Sequence, residues 1–353
     1  MEMRTSSASS ASSSALPLTS ATNHNATNTA NTTQYTTSNN NNNSNYNSST
    51  PRTKRKPESR SERTVRTVTF IRKLFQRLST AQNAHLHHER DLPGLNVVVL
   101  RGGLDFAATT TAASTTHNDD DGGGGAQSSS SSSSFFAPTS WPWVYDVLRR
   151  NPPGVALSSS SLSDGANKEE EDDYDGWSVA HAMWADLASW LGMVEDRAMP
   201  GLLDETGWLS MDTSPFTMLR RHVDDVHWTL EALFEHADGS RPHVICVLSD
   251  SQPLREDCVS LSELLLILSM VFVRITSPEY EQHRLVPVTI LSCSGLPVRL
   301  VQGFIDPAAE KVVIRKTPIM TRTVRERDCW DLHVGLLRWL TATPVGETLY
   351  EED

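Results

Sequence analysis

Apolar positions along this chain fall into blocks whose spacing switches between helical and extended periods, with long polar stretches between them. The first block covers residues 65–78. There Val68, Ile71, Leu74, Phe75 and Leu78 share one stripe at 100° per residue, and Arg66, Lys73 and Arg77 gather on another face, which predicts an amphipathic basic helix. LNVVVL at 95–100 is a continuous apolar run, as expected of a strand covered on both faces, and Gly102 and Gly103 break it. Trp141, Trp143, Val144 and Leu148 form a packing set that ends at Pro152 and Pro153. Trp177, Ala180, Trp184, Leu187, Ala188 and Leu191 recur at helical spacing.

A further helix is predicted over 214–238. Ser214 is its N-cap, Pro215 lies in its first turn, Gly239 stops it, and Phe216, Leu219, Val223, Val226, Leu230 and Leu233 are its buried face. Residues 243–249 read as a strand. SLSELLLILSMVFVRIT opens with a Ser260–Glu263 capping box and is apolar around more than one face, which predicts a central helix. Strands follow at 285–292, 297–305 and 311–317, the last two joined by a turn at Asp306-Pro-Ala-Ala-Glu. A final helix over 326–341 turns Cys329, Leu332, Leu336, Leu337 and Leu340 to the core. The expected fold is α/β or α+β, one sheet with packed helices and a C-terminal helix–three strands–helix unit.

The polar stretches divide the chain. Residues 1–64 are rich in Ser, Thr and Asn and have too little apolar surface to offset their ordering entropy, so they read as a disordered tail. The same reasoning makes disordered insertions of 107–134, with its DDDGGGG and serine run, and of 157–176, with six acids between Glu169 and Asp175. What remains is a basic arm, 65–90, and an acidic folded domain, 91–353. The net charge of −12 conceals this asymmetry: residues 51–90 hold 11 Lys and Arg against 3 acids, and 91–353 hold 19 against 39. An acidic body repels phosphate, so any nucleic-acid contact is expected only through the arm. Arg52, Lys54, Arg55 and Lys56 resemble a nuclear-import cluster. No apolar run is long enough to span a bilayer, and the first residues lack the pattern of a secretory signal; a cytoplasmic or nuclear protein is expected.

Candidate chemistry is sparse. Cys246, Cys258, Cys293 and Cys329 form no CxxC pair and read as free thiols in apolar surroundings. His85, His87 and His88 suggest metal ligands, but no Cys, Asp or Glu stands at ligand spacing beside them, and a polar loop is the expectation. Cys293 follows a strand without a GxSxG elbow. His222, Asp224, Asp225 and His227 would pair three apart on the predicted 214–238 helix, without HExxH. No phosphate-loop or dinucleotide motif occurs, so no cofactor, metal or catalytic residue is assigned.

Two resemblances bear on the C-terminal block. The order of helix, three strands and helix over 260–341 resembles the core of the PD-(D/E)XK nuclease-like fold, which implies a role for Glu263 on the helix and for an acid and a lysine on the strands. Here Asp306 ends the middle strand, and the third strand, KVVIRK, carries Lys311 and Lys316 without the preceding acid, so the family's metal centre is not reproduced. The segments Val288–Ile290, Val298–Phe304 and Lys311–Lys316, with Arg338-Trp339-Leu340 and Pro344-Val345-Gly346, are similar to a recurring domain of filamentous-fungal proteins, which implies no activity. The expected function is an intracellular protein-interaction or regulatory module. Its partner-binding residues would be Arg66, Val68, Ile71, Lys73, Leu74, Phe75, Arg77 and Leu78, unless that stripe docks on its own domain. The alternatives are a small-molecule enzyme with a site built from distant residues and a degenerate nuclease-like or nucleic-acid-associated protein.

Overall fold

A computed structural model describes residues 59–80, 86–100, 104–106, 135–150, 176–193, 201–219, 221–223, 226–322 and 329–350. The expected insertion 107–134, all of 157–176 except Gly176, and the tail up to residue 58 lie outside the described residues. The chain opens with α1 (Arg60–Thr80), β1 (Leu86–His88), β2 (Val97–Val99), β3 (Phe136–Ala137) and α2 (Trp141–Arg150). Next come α3 (Gly176–Leu191), α4 (Leu202–Thr206), β4 (Trp208–Met211), β5 (Arg221–Val223), β6 (Val226–His236) and β7 (Val244–Asp250). The last part holds β8 (Cys258–Ser260), α5 (Leu261–Thr276), β9 (Val288–Cys293), β10 (Pro297–Asp306), β11 (Lys311–Lys316), β12 (Met320–Thr321), α6 (Trp330–Leu340) and β13 (Thr343–Pro344).

The fold is mixed α/β, built on a nine-stranded sheet in the order β2-β11-β10-β9-β7-β6-β4, with β12 beside β10 and β5 beside β6. β7 and β9 run parallel, and so do β11 and β2; the other pairs in the sheet are antiparallel. A parallel pair needs a crossover, and β8 with α5 supplies the one between β7 and β9. Helices cover both faces. Val244, Cys246, Leu248, Val288, Ile290, Val312 and Ile314 face α1 and α5, whereas Ile245, Val247, Leu291, Val298 and Leu300 face α2, α3, α4 and α6. This double cover is why the central strands read as unbroken apolar runs. Gly303 in β10 lets α5 come close: a Cβ there would stand 2.4 Å from Cδ1 of Ile267. Among the described residues, no helix is long and apolar enough to cross a membrane.

Three local expectations are corrected. The predicted 214–238 helix is instead a 3-10 turn at Ser214–Leu219, the short strand β5 and the long strand β6. β6 has a register shift between Leu230 and Ala232, so inward positions run Val226, Trp228, Leu230 and then Leu233. One extra residue in an alternating strand thus leaves the spacing 226, 230, 233, which imitates a helical face. The tail was expected to reach residue 64, but α1 begins at Arg60, behind a capping box in which Ser59 N donates to Glu62 Oε2 (2.8 Å) and Glu62 N to Ser59 Oγ (3.3 Å). The polar loop expected around the histidines holds a strand at His87 and His88, since β1 pairs antiparallel with β8, and His85 lies outside the described residues.

The Ser260–Glu263 capping box, the β10–β11 hairpin and the final helix stand where the residue pattern places them, within a few positions. Leu336 in α6 is fully buried between α2, α3 and the sheet. Leu336→Ala is expected to cost about 2–5 kcal/mol of stability in equilibrium urea unfolding, and a loss below about 0.5 kcal/mol would remove this leucine from the core.

Candidate functional site

Two polar groups lie on the α5 side of the sheet, one around the start of α5 and one on the surface of α1. At the start of α5, Ser260 Oγ accepts from Glu263 N (3.1 Å) and the Glu263 carboxylate accepts from Ser260 N (2.9 Å). The same carboxylate meets Arg299 of β10 in a two-pronged pair, Nε to Oε1 at 2.8 Å and Nη2 to Oε2 at 2.5 Å. Nη1 of Arg299 donates to Arg255 O and Cys258 O, each at 2.9 Å. Neither side chain of the pair is exposed to solvent. Burial by itself would raise the Glu263 pKa, but the Arg299 charge and hydrogen bonds outweigh it and hold the carboxyl below its usual range.

Asp250, at the end of β7, lies beside this pair. It accepts from Ser262 Oγ and from Gln252 N (2.9 Å). Burial pushes its pKa up to about 6; the two hydrogen bonds oppose that rise, and the nearby Glu263 charge adds to it. Asp250 is only 3% exposed. The group is therefore a sealed polar anchor for the helix, without the solvent access that a reaction centre needs.

The nuclease-like residues are not brought together. Glu263 contacts Arg299, and Asp306 lies seven residues further along β10, about 23 Å away at the rise of an extended strand. Asp306 Oδ1 accepts from Ala308 N (2.9 Å) and Ala309 N (3.2 Å) within the hairpin turn, directly opposite Lys311. Lys316, at the other end of β11, pairs with Glu89 at 2.9 Å. All four cysteines are buried, and none is in a disulfide. Burial raises the thiol pKa of Cys293 far above its ordinary value, and the residue faces the α6 side of the sheet, so it has no nucleophile's environment. His222 and His227 are opposed on the antiparallel strands β5 and β6, which removes the helical pairing expected of them; Asp224 and Asp225 lie outside the described residues.

The residues expected to bind a partner divide into two groups. Ile71, Leu74 and Leu78 are buried in the core against α5, and Val68 and Phe75 are half-buried, so most of the apolar stripe is covered by the protein itself. The basic residues meet elsewhere. Arg66, Lys73 and Arg77 form one wall of an open cleft of about 370 Å³, floored by Phe70, Leu74 and Leu95 and faced by Asn96 and Glu310. Arg77 Nη2 donates to Gly94 O at 2.6 Å, tying α1 to the 3-10 turn that carries Leu95. Sequence periodicity identified this basic wall but not the opposite one, which comes from residues remote in the chain.

The structure also assembles a group that sequence spacing did not reveal. Strand register sets His88 opposite Cys258. Nδ1 of His88 lies 3.0 Å from Asp257 Oδ2 and 3.3 Å from Cys258 Sγ, and Sγ lies 3.4 Å from Asp257 Oδ1. These three donor types could hold a metal ion. Burial raises the Cys258 thiol pKa, and the hydrogen bonds from Cys258 and His88 lower that of Asp257. The nearness of these residues arises from the pairing of β1 with β8, across 170 positions of sequence.

No family model matches the chain, and no similar curated protein or solved structure was found.

Two outcomes follow from the sealed cluster. Glu263→Gln leaves the Arg299 guanidinium buried without a counter-charge, and urea unfolding is expected to show a loss of about 3–5 kcal/mol. Replacing both residues together, Glu263→Leu with Arg299→Met, is expected to cost less than Glu263→Gln alone. For Asp250 the folded pKa of about 6 lies above the unfolded value, so its contribution is fully present below about pH 4 and lost as pH rises through about 6. That loss amounts to about 3 kcal/mol. Asp250→Asn keeps an acceptor for Gln252 N and should remove this part of the pH dependence when stability is compared at pH 4 and pH 7.

Proposed function

We propose that this protein is an intracellular interaction module whose α1 cleft receives an acidic segment of a partner protein. The observation that carries this reading is the combination within one cleft of three cationic side chains, Arg66, Lys73 and Arg77, with an apolar floor of Phe70, Leu74 and Leu95. Cations on one wall attract carboxylates, and the floor rewards apolar side chains between them, which is the recognition chemistry of a mixed acidic and apolar peptide. A nucleic acid fits less well. The wall offers three cations, Glu310 faces them, and the domain beyond residue 90 carries an excess of acids that repels a phosphate backbone.

The reading predicts that a labelled synthetic peptide alternating Asp and Glu with Leu and Phe binds the full-length protein in fluorescence anisotropy, and that binding weakens as salt is added. Lys73→Glu with Arg77→Glu is expected to lower the affinity at least about tenfold, the effect of two reversed charges at a partly desolvated wall. Arg241→Glu, an exposed change on the loop before β7, is expected to leave it unchanged. Equal affinity for the wild type and the double variant would reject the cleft. Tighter binding of a single-stranded oligonucleotide than of the peptide would transfer the site to nucleic-acid recognition.

A further inference from the structure

We propose that His88, Asp257 and Cys258 form a Zn²⁺ site that staples β1 to β8 and leaves a fourth position open to solvent. The inference is independent of the α1 cleft.

Donor chemistry is the first support. One imidazole, one carboxylate and one thiol make a borderline-soft mixed set suited to Zn²⁺ and its neighbours in the transition series, and unsuited to Mg²⁺ or Ca²⁺, which require oxygen ligands. Geometry is the second. In a tetrahedral site with Zn–N and Zn–O near 2.0 Å and Zn–S near 2.3 Å, the donor atoms stand about 3.3 Å apart for nitrogen and oxygen and about 3.5 Å apart for either with sulfur. Here Nδ1 of His88 stands 3.3 Å from Cys258 Sγ and 3.0 Å from Asp257 Oδ2, and Sγ stands 3.4 Å from the other carboxylate oxygen, Oδ1. With one oxygen taken from Asp257, the three donor atoms lie within 4.8 Å of one another, so a turn of the carboxylate brings them around one ion. In the metal-free state the three groups hydrogen-bond to one another and hold the donors in place.

The frame behind the donors is rigid. His88 and Cys258 are register partners, and Glu89 N donates to Asp257 O at 2.9 Å, which continues the pairing one residue further. Cys258 O accepts from the buried Arg299, and β8 runs directly into the N-cap of α5, so the sulfur is carried on a segment pinned to the sealed ion pair. Lys316 pairs with Glu89, which offsets the nearest lysine charge. Access comes from one side: the side chains of Asp257 and His88 are 71% and 37% exposed, while Cys258 is buried behind them. An ion therefore enters past Asp257 with its fourth ligand, a water, on the outer side. Binding replaces the thiol proton by the metal, and that proton leaves to solvent, while the imidazole gives up its Nδ1 proton, keeps one proton on Nε2 and turns the Nδ1 lone pair to the ion. Adjacent residues of a strand point to opposite faces, so His87 is directed away from the triangle.

The test uses full-length protein stripped with a chelator and titrated with Zn²⁺ in a calorimeter. The expected result is one tight equivalent, a melting temperature that rises with Zn²⁺ and not with Mg²⁺, and, with Co²⁺ in its place, thiolate charge-transfer absorption together with the visible bands of a tetrahedral ion. Cys258→Ser should abolish the charge-transfer absorption, and His88→Gln should weaken Zn²⁺ binding at least about tenfold. His87→Gln should change neither. Asp257→Asn, at an exposed side chain, preserves the fold and should also weaken binding, so the inference stays testable if the cysteine variant is unstable. Absence of a tight equivalent, or a Co²⁺ spectrum without thiolate absorption, would overturn the site. So would Zn²⁺ binding that survives all three ligand substitutions, because it would belong elsewhere in the chain. Lys73→Glu with Arg77→Glu should leave Zn²⁺ binding intact, which separates failure of this site from failure of the cleft.

Discussion

The architecture depends on a single ion pair sealed at the start of α5. Glu263 and Arg299 have no exposure to solvent, and the desolvation of two full charges is offset only by good geometry and further hydrogen bonds. Both conditions are met. Four of the five guanidinium N–H groups are used, two on the Glu263 carboxylate and two on the carbonyls of Arg255 and Cys258. The carboxylate also closes the first turn of the helix through Ser260 N. One pair thus joins a helix start, a central strand and the segment that leads into the helix. An alternative packing of α5 would strand a buried charge, so the pair specifies the position of the helix as well as holding it.

The two surface features follow from that position. α1 lays Ile71, Leu74 and Leu78 on the same apolar layer as α5, and this docking brings Arg66, Lys73 and Arg77 beside Leu95, Asn96 and Glu310. The start of α1 is secured at the other end of the chain, where Arg63 lies over the ring of Tyr350 at 5.2 Å. β8 enters α5 through Ser260, and the Arg299 bond to Cys258 O fixes the strand that presents Cys258 and Asp257 to His88. The basic cleft and the donor triangle are thus separate surfaces on one frame. The opposite face of the sheet is occupied by α2, α3, α4 and α6 and is closed by apolar packing, with the buried His333 kept neutral, its pKa lowered to about 4 mainly by burial, beside Trp190 and Trp330.

The residue pattern left open whether the apolar stripe of the basic arm binds a partner or docks on its own domain. In the structure the stripe docks: Ile71, Leu74 and Leu78 pack into the core beside α5, and the charges lie at the edge of that contact. Apolar burial is nearly independent of salt, whereas exposed charges a Debye length apart are screened. Most of the hold on α1 therefore comes from its apolar stripe, with the Arg77–Gly94 hydrogen bond added at the edge of the contact.

Much of the fold was legible in the residue pattern because it depends on local rules. The α5 capping box, the apolar runs of β7 and β9, the turn at Asp306 and the leucines of α6 each declare an element within a short window, and together they imply a mixed α/β domain. The basic residues of the cleft were legible for the same reason, as one face of a helix. β6 was misread because a bulge between Leu230 and Ala232 changes the parity of a strand and produces helical spacing, an ambiguity that only its neighbours β7 and β4 resolve. Burial of the α1 stripe depends on whether a matching surface exists elsewhere, which no local period records. The His88–Asp257–Cys258 triangle is the clearest case. His88 and Cys258 stood out separately in the sequence and Asp257 did not, because a metal-ligand spacing is a distance in space, and the register of β1 on β8 converts 170 positions of chain into 3.3 Å.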